Sequence, residues 1–300
     1  MKLATTTGDF FRYTRSQIQS LQLLREAGFR YADINFCGDY ADRSGVYTED
    51  YEKYFDLVAG TARDCGITMV QAHAPMGTPI ANDNEQFIRD TIRCIDACGA
   101  WKIPNLVVHS GYEQGLTVKE TFSRNREFFM PLLEAAEKYE VNILVENFNK
   151  MIVPGLYWID NAPDLLEMIE CVNHPLFHAV WDVGHANMQS MPQDEALRLL
   201  GSHVRALHIH DNMGETADSH WVPYSGTLNL DSVMNGLFDI GYKGYFTFEI
   251  GEFFLPGNKR REYPRDTRLA DAPLELRRSF ESYLYNLGKC VLESYDCYEI

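Results

Sequence analysis

Eight short runs rich in β-branched and aromatic residues alternate with longer stretches of helical spacing along the 300 residues of this chain, and that alternation constrains its fold more than any other feature. The runs occupy 3–7, 31–37, 67–73, 105–109, 142–148, 179–185, 205–211 and 245–250. Between them, 16–27, 51–65, 84–99, 118–139, 162–171, 193–201 and 230–241 place apolar residues three and four apart, as Ile18, Leu21 and Leu24 do, so each buries one stripe of a helix. Gly28, Gly66, Gly99, Gly201 and Gly241 stand where helix C-caps are expected. Strands joined by helical crossovers lie parallel, and a pitch of about 35 residues over the first six predicts an α/β fold, a (β/α)8 TIM barrel, rather than an open sheet. One domain over 1–300 is expected, since no low-complexity or linker-like stretch interrupts the pattern. Segment 251–273 is polar, with Lys259, Arg260, Arg261, Arg265 and Arg268, and suits a solvated loop, a flap over the barrel mouth or a subunit contact; a helix over 274–292 closes the chain.

With 45% hydrophobic residues the chain can bury a large core. Its formal net charge of -16 and pI near 4.9 argue against a nucleic-acid partner, whose phosphates are held by clustered Lys and Arg. Seven cysteines without CxxC spacing indicate neither a disulfide framework nor a thiolate zinc site, and fit a reducing cytoplasm. The start, Met1-Lys-Leu-Ala-Thr-Thr-Thr-Gly, lacks a signal-peptide apolar core, and no apolar run approaches the roughly 20 residues that span a bilayer. The expectation is a cytoplasmic protein with no membrane partner and no organic cofactor, in which 251–273 and the last helix are candidate contacts for a homo-oligomer.

Four side chains, Glu146, Asp182, His208 and Glu249, each fall near the carboxyl end of a separate apolar run. A glutamate in such a run is costly to bury unless a cation or hydrogen bonds compensate it. In a parallel barrel the strand ends converge on one face, so the four make a site for one divalent metal; oxygen donors with one imidazole suit Mn²⁺, Mg²⁺, Co²⁺ or Zn²⁺. Six of the nine histidines, His73, His109, His185, His208, His210 and His220, lie at or just past strand ends, whereas His174, His178 and His203 fall in helix-to-strand connections on the opposite rim. His185 returns to the rim of Asp182, and His210 shares a face with His208. We read His208 as the ligand and His185, His210, His73, His109 and His220 as contacts to substrate or to further metal ions. Trp181, next to Asp182, points away from the axis, while Phe148, Tyr157, Trp158 and Trp221 are candidates to stack on a sugar ring.

These residues resemble the xylose isomerase-like superfamily of sugar isomerases and epimerases, which shares its barrel and metal arrangement with apurinic-site endonucleases. The resemblance spans roughly residues 30 to 250 and rests on Ala72-His73-Ala-Pro75, Val-Val-His109-Ser-Gly, Leu-Val-Glu146-Asn, Trp-Asp182-Val-Gly-His185, Ala-Leu-His208-Ile-His210-Asp211-Asn, Asp218-Ser-His220 with Pro223 and Gly226, and Phe-Glu249. It implies that Glu146, Asp182, His208 and Glu249 hold the metal, that the two glutamates are also the catalytic acid/base pair, and that His185 touches substrate. The ketose 3-epimerases also carry an arginine several residues past the metal-binding histidine, and 211–215 has none. The implied activity is isomerisation or epimerisation of a small sugar or sugar derivative through an enediolate. Two alternatives share the barrel: a polyol or keto-acid dehydratase, and a multinuclear-zinc phosphodiester hydrolase, for which His73, His109, Glu146, Asp182, His185, His208, Asp218, His220 and Glu249 are ligands of matching type. Acids beside the glycines at 213–215 and 250–252 favour an unphosphorylated substrate.

Overall fold

The computed structural model describes residues 1–148, 159–214, 218–250 and 272–300. Its strands are β1 (Lys2–Thr6), β2 (Tyr31–Asn35), β3 (Thr68–His73), β4 (Asn105–Val108), β5 (Asn142–Glu146), β6 (Phe177–Asp182), β7 (Val204–His208) and β8 (Tyr245–Phe248). They form one parallel sheet in the order β7-β6-β5-β4-β3-β2-β1-β8. The cylinder closes just beyond β7, where Ile209 pairs with Phe248: Ile209 N donates to Thr247 O at 2.8 Å and Glu249 N to Ile209 O at 3.2 Å. The expected (β/α)8 barrel is the observed fold.

The helices are α1 (Gly8–Thr14), α2 (Gln17–Ala27), α3 (Cys37–Asp42), α4 (Tyr51–Cys65), α5 (Glu85–Trp101), α6 (Val118–Glu137), α7 (Ala162–Val172), α8 (Val183–Asn187), α9 (Gln193–Leu200), α10 (Leu230–Asp239) and α11 (Leu274–Ser294). Local chemistry sets their ends. Thr117 accepts from Glu120 N while the Glu120 carboxylate accepts from Thr117 N, a reciprocal cap that starts α6. Gly28 and Gly66 end α2 and α4 at φ +118° and +68°, as expected. Gly99 does not end a helix. It lies inside α5, which runs to Trp101 and is capped by Lys102, and a Cβ at 99 would overlap the Tyr139 ring. His178 is likewise the second residue of β6 rather than part of the preceding connection.

Strand alternation separates two apolar layers. Val107, Leu144, Val180 and Ala206 fill the barrel interior, and a larger cluster lies between strands and helices. Trp181 belongs to that outer layer, with its indole N–H donating to Gln193 Oε1 at 2.8 Å, so its neighbour Asp182 faces inward. Each fully buried Leu, Ile or Phe contributes about 1.5–3 kcal/mol, so these layers hold the strand ends in place. All seven cysteines are free thiols, and among the described residues no helix is long and apolar enough to cross a membrane.

Candidate metal centre

Glu146, Asp182 and His208 are the last residues of β5, β6 and β7, and Glu249 follows β8 directly. The register pairs Asp182 with His208 across β6 and β7, and barrel closure brings Glu249 alongside them. One ligand atom from each of the four lies within 4.8 Å of the others. His208 Nδ1 is central to the group, 2.9 Å from Glu146 Oε1, 3.4 Å from Glu249 Oε2 and 3.9 Å from Asp182 Oδ2. Glu146, Asp182 and His208 are fully buried, whereas the Glu249 side chain keeps 18% of its surface exposed and is the most accessible of the set.

The flanking histidines gather at the same end. His109 Nε2 lies 2.5 Å from Glu146 Oε2 and His73 Nε2 3.5 Å from the same oxygen, while His185 Nδ1 lies 3.6 Å from Oε1, so with His208 Glu146 is reached from four rings. His73, Glu146 and His208 form a second group with metal-ligand spacing. A third comprises His185, His210, Asp218 and His220: Asp218 Oδ2 sits 3.2 Å from His185 Nε2, and Asp218 Oδ1 3.3 Å from His220 Nε2 and 3.8 Å from His210 Nε2. The His210 and His220 rings stack with centroids 3.8 Å apart. Phe148 packs at 4.7 Å from the rings of both His109 and His185 and walls one side. Trp221 is half-buried and bridges back to Asp211; Tyr157 and Trp158 lie outside the described residues.

Local hydrogen bonds explain why these side chains point where they do. Asp182 caps α8, its Oδ1 accepting from His185 N at 2.7 Å, and this turn returns His185 to the rim. Asn147 donates from its amide to Asp182 O and accepts from Asp182 N, both at 2.8 Å, tying the ends of β5 and β6 together. Asp211 accepts from the backbone N–H groups of Asn212, Gly226 and Leu228, which folds the chain after β7 back on itself and aims His220 inward. Asn147 and the carboxylate of Asp211 are positioning groups that pattern reading did not single out, and it also passed over Asp33, buried on β2. Asp33 shared the signal used for the glutamates, a charged side chain in an apolar strand.

A model of the xylose isomerase-like TIM barrel family matches residues 21–271. The chain belongs to that family. An uncharacterised protein of Methanocaldococcus jannaschii is 32% identical over 192 residues, covering 60% of this chain and 64% of that protein. Fructoselysine 3-epimerase of Escherichia coli O157:H7 is 29% identical over 157 residues, covering 52% and 54%. The chain thus spans about half to two thirds of the length of these two curated relatives. Among solved structures, D-psicose 3-epimerase from Clostridium cellulolyticum H10, crystallised with D-tagatose, superposes with a TM-score of 0.76 at 16% identity, over 97% of this chain and 99% of that one. At that identity the likeness concerns the fold.

The electrostatics of this family member bear on what the cluster can hold. Burial pushes Glu146 and Asp182 toward protonation, yet His208 and His109 around the first, and His185 and His210 around the second, hold both carboxyls below the usual range. Asp218 is depressed likewise by His220 and His185. Burial lowers the imidazoles in turn, but Glu249 and Glu146 carry His208 well above its ordinary value, Asp218 does the same for His220, and Asp182 and Asp218 bring His185 to about 9. His109 alone among these goes down, because burial dominates there. The buried carboxylates and the rings beside them thus favour each other's charged forms. A divalent cation at Glu146, Asp182, His208 and Glu249 would supply positive charge in place of protons on those rings. The donor set, three carboxylates and one imidazole, fits Mn²⁺, Mg²⁺, Co²⁺ or Zn²⁺.

Proposed function

We propose that this chain is a divalent-metal-dependent epimerase or isomerase of a small sugar or sugar derivative, needing no organic cofactor. The observation that carries the reading is the pair Glu146 and Glu249, from the ends of β5 and β8, which both approach His208 Nδ1 within one four-ligand cluster. A bound divalent ion supplies Lewis-acid stabilisation of charge developing on substrate oxygens, worth several kcal/mol. The chain's own residues do the rest. One glutamate takes the proton from the carbon beside the substrate carbonyl, leaving an enediolate, and the other returns a proton, from the opposite face for epimerisation. Glu249, the more exposed of the two, is the one able to meet solvent between turnovers. His185, His210 and His220 present ring nitrogens to hydroxyls, His73 and His109 brace Glu146, and Phe148 covers an apolar face of the sugar. The names of two similar proteins, fructoselysine 3-epimerase and D-psicose 3-epimerase, support a keto-sugar as substrate.

A screen of ketoses, keto-glycosides and inositols with added Mn²⁺, read by deuterium uptake from solvent, tests this reading. Glu146→Gln and Glu249→Gln are each expected to abolish exchange of the substrate C–H while the folded spectrum persists; exchange retained in both contradicts the assignment. Loss of water from the product in the same screen would identify a dehydratase.

The His73, Glu146, His208 group and the His185, His210, Asp218, His220 group favour a second reading, a multinuclear-zinc phosphodiester hydrolase. Net charge of -16 opposes a polyanionic substrate. Elemental analysis separates the two: about one divalent ion per chain accords with the epimerase, and about three zinc ions with the hydrolase.

A further inference from the structure

We infer that Asp33 sets the orientation and tautomer of His208, and so prepares the nitrogen that faces the metal; this rests on the metal reading above. Asp33 lies on β2 with its carboxylate buried at 1% exposure. Thr247 Oγ1 donates to Gln71 Oε1 at 3.2 Å, and Gln71 Nε2 donates to Asp33 Oδ2 at 3.0 Å. Side chains from β8, β3 and β2 thus form one chain of polar contacts inside the barrel, and its far end is His208, whose Nε2 lies 3.6 Å from Asp33 Oδ2. His208 Nε2 and Asp33 Oδ1 are both buried, and neither has a hydrogen-bond partner of ordinary length. A buried polar atom left unsatisfied costs on the order of 1–3 kcal/mol, and an approach of about half an ångström brings His208 Nε2 into hydrogen-bond range of Asp33 Oδ2.

Geometry dictates which ring nitrogen holds the proton. Nδ1 faces Glu146, Glu249 and Asp182, the side on which a cation is held, while Nε2 faces Asp33. A proton on Nε2, directed at the Asp33 carboxylate, leaves the Nδ1 lone pair free to ligate. The other tautomer aims an N–H at the ligand centre and a lone pair at a negative oxygen. A carboxylate behind a ligating imidazole also raises its basicity, and loss of such a partner weakens metal affinity by about 10–100-fold. Asp33 touches neither metal nor substrate in this arrangement; it is a positioning residue.

Asp33→Asn keeps the size of the side chain and removes its charge. Calorimetric titration with Mn²⁺ is expected to show about 10–100-fold weaker binding than wild type, with an unfolding midpoint of the metal-free protein no lower than wild type. Long-range ¹⁵N–¹H spectra of the imidazoles in the Zn²⁺-loaded wild-type protein are expected to place the His208 proton on Nε2. Equal affinity in the two proteins, or His208 bound through Nε2, overturns the inference while leaving the metal site standing. Absence of any Mn²⁺ binding by wild type overturns the metal reading and this inference together. Should Asp33→Asn fail to fold, the wild-type spectrum still decides, and Gln71→Leu, which frees the Asp33 carboxylate, is expected to weaken Mn²⁺ binding several-fold.

Discussion

Gly184 is a position where a single methyl group decides the geometry of the site. A Cβ there would run into the His210 imidazole, which itself reaches Asp182 Oδ1 at 3.0 Å. Alanine would gain up to about 1 kcal/mol of helix propensity in α8, but overpacking of a buried ring costs about 1–3 kcal/mol, so the clash wins. Gly184→Ala is expected to lower the thermal midpoint and to weaken divalent-metal binding; an unchanged midpoint with unchanged affinity would show that His210 moves aside freely. At this scale the sequence was informative where a charged side chain interrupted an apolar run, as at Glu146 and Glu249. It was silent where the same signal needed a partner to be understood. Asp33 also interrupts an apolar run, but its meaning depends on Gln71, Thr247 and His208, which only the closed barrel brings to it.

At the scale of elements, each long helix and strand announces itself because its periodicity repeats over several turns or pleats. The short helices α1, α3 and α8 do not, since 7, 6 and 5 residues leave too few periods to read. Their starts depend on single contacts, as α8 depends on the Asp182 carboxylate. Gly99 was misleading for a related reason: a glycine marks a helix end only when the backbone there turns left-handed, and at 99 it instead admits Tyr139. Between elements, Asn147 is the tie that fixes β5 against β6. Asn147→Ala leaves the Asp182 N–H and C=O without their partner, both in the interior. With about 1–3 kcal/mol for each buried group left bare, a loss of about 2–6 kcal/mol is expected in urea unfolding. A loss under about half a kcal/mol would mean that water replaces the amide.

For the whole molecule, a charge cluster where α11 packs beside β1 and the end of β8 is one that local sequence does not disclose. Arg277 on α11 reaches Asp9 on α1 and Glu281 on its own helix, each at 2.7 Å, and donates to Ile250 O next to Glu249; Thr5 on β1 completes the cluster. Two buried carboxylates face one guanidinium, so burial first, and then Asp9, raise Glu281 to about 8, with Arg277 opposing. The unfolded chain releases that proton near the ordinary glutamate value, about 4.5. Stability from this group is therefore complete below about 4.5 and declines as pH rises through about 8, because the folded state binds the extra proton. Glu281→Gln removes the titration, and its urea midpoint is expected to fall less between those pH values than that of wild type. Parallel pH profiles for the two proteins would contradict this.

Hydrophobic period, glycine placement and charged interruptions are local properties of the chain. They sufficed for the alternating α/β order, the eight-stranded barrel and the identity of the four strand-end side chains at 146, 182, 208 and 249. Distances between strand ends are not local. They follow from register and closure, which pair Asp182 with His208 and bring Glu249 to both. Tertiary structure alone decided that Asp33 lies behind His208, that His210 stacks on His220, and that Arg277 ties α11 to α1. Partners such as Asp9 and Arg277, 268 residues apart in sequence, cannot be read from any window of it, because nothing but the folded cylinder makes them neighbours.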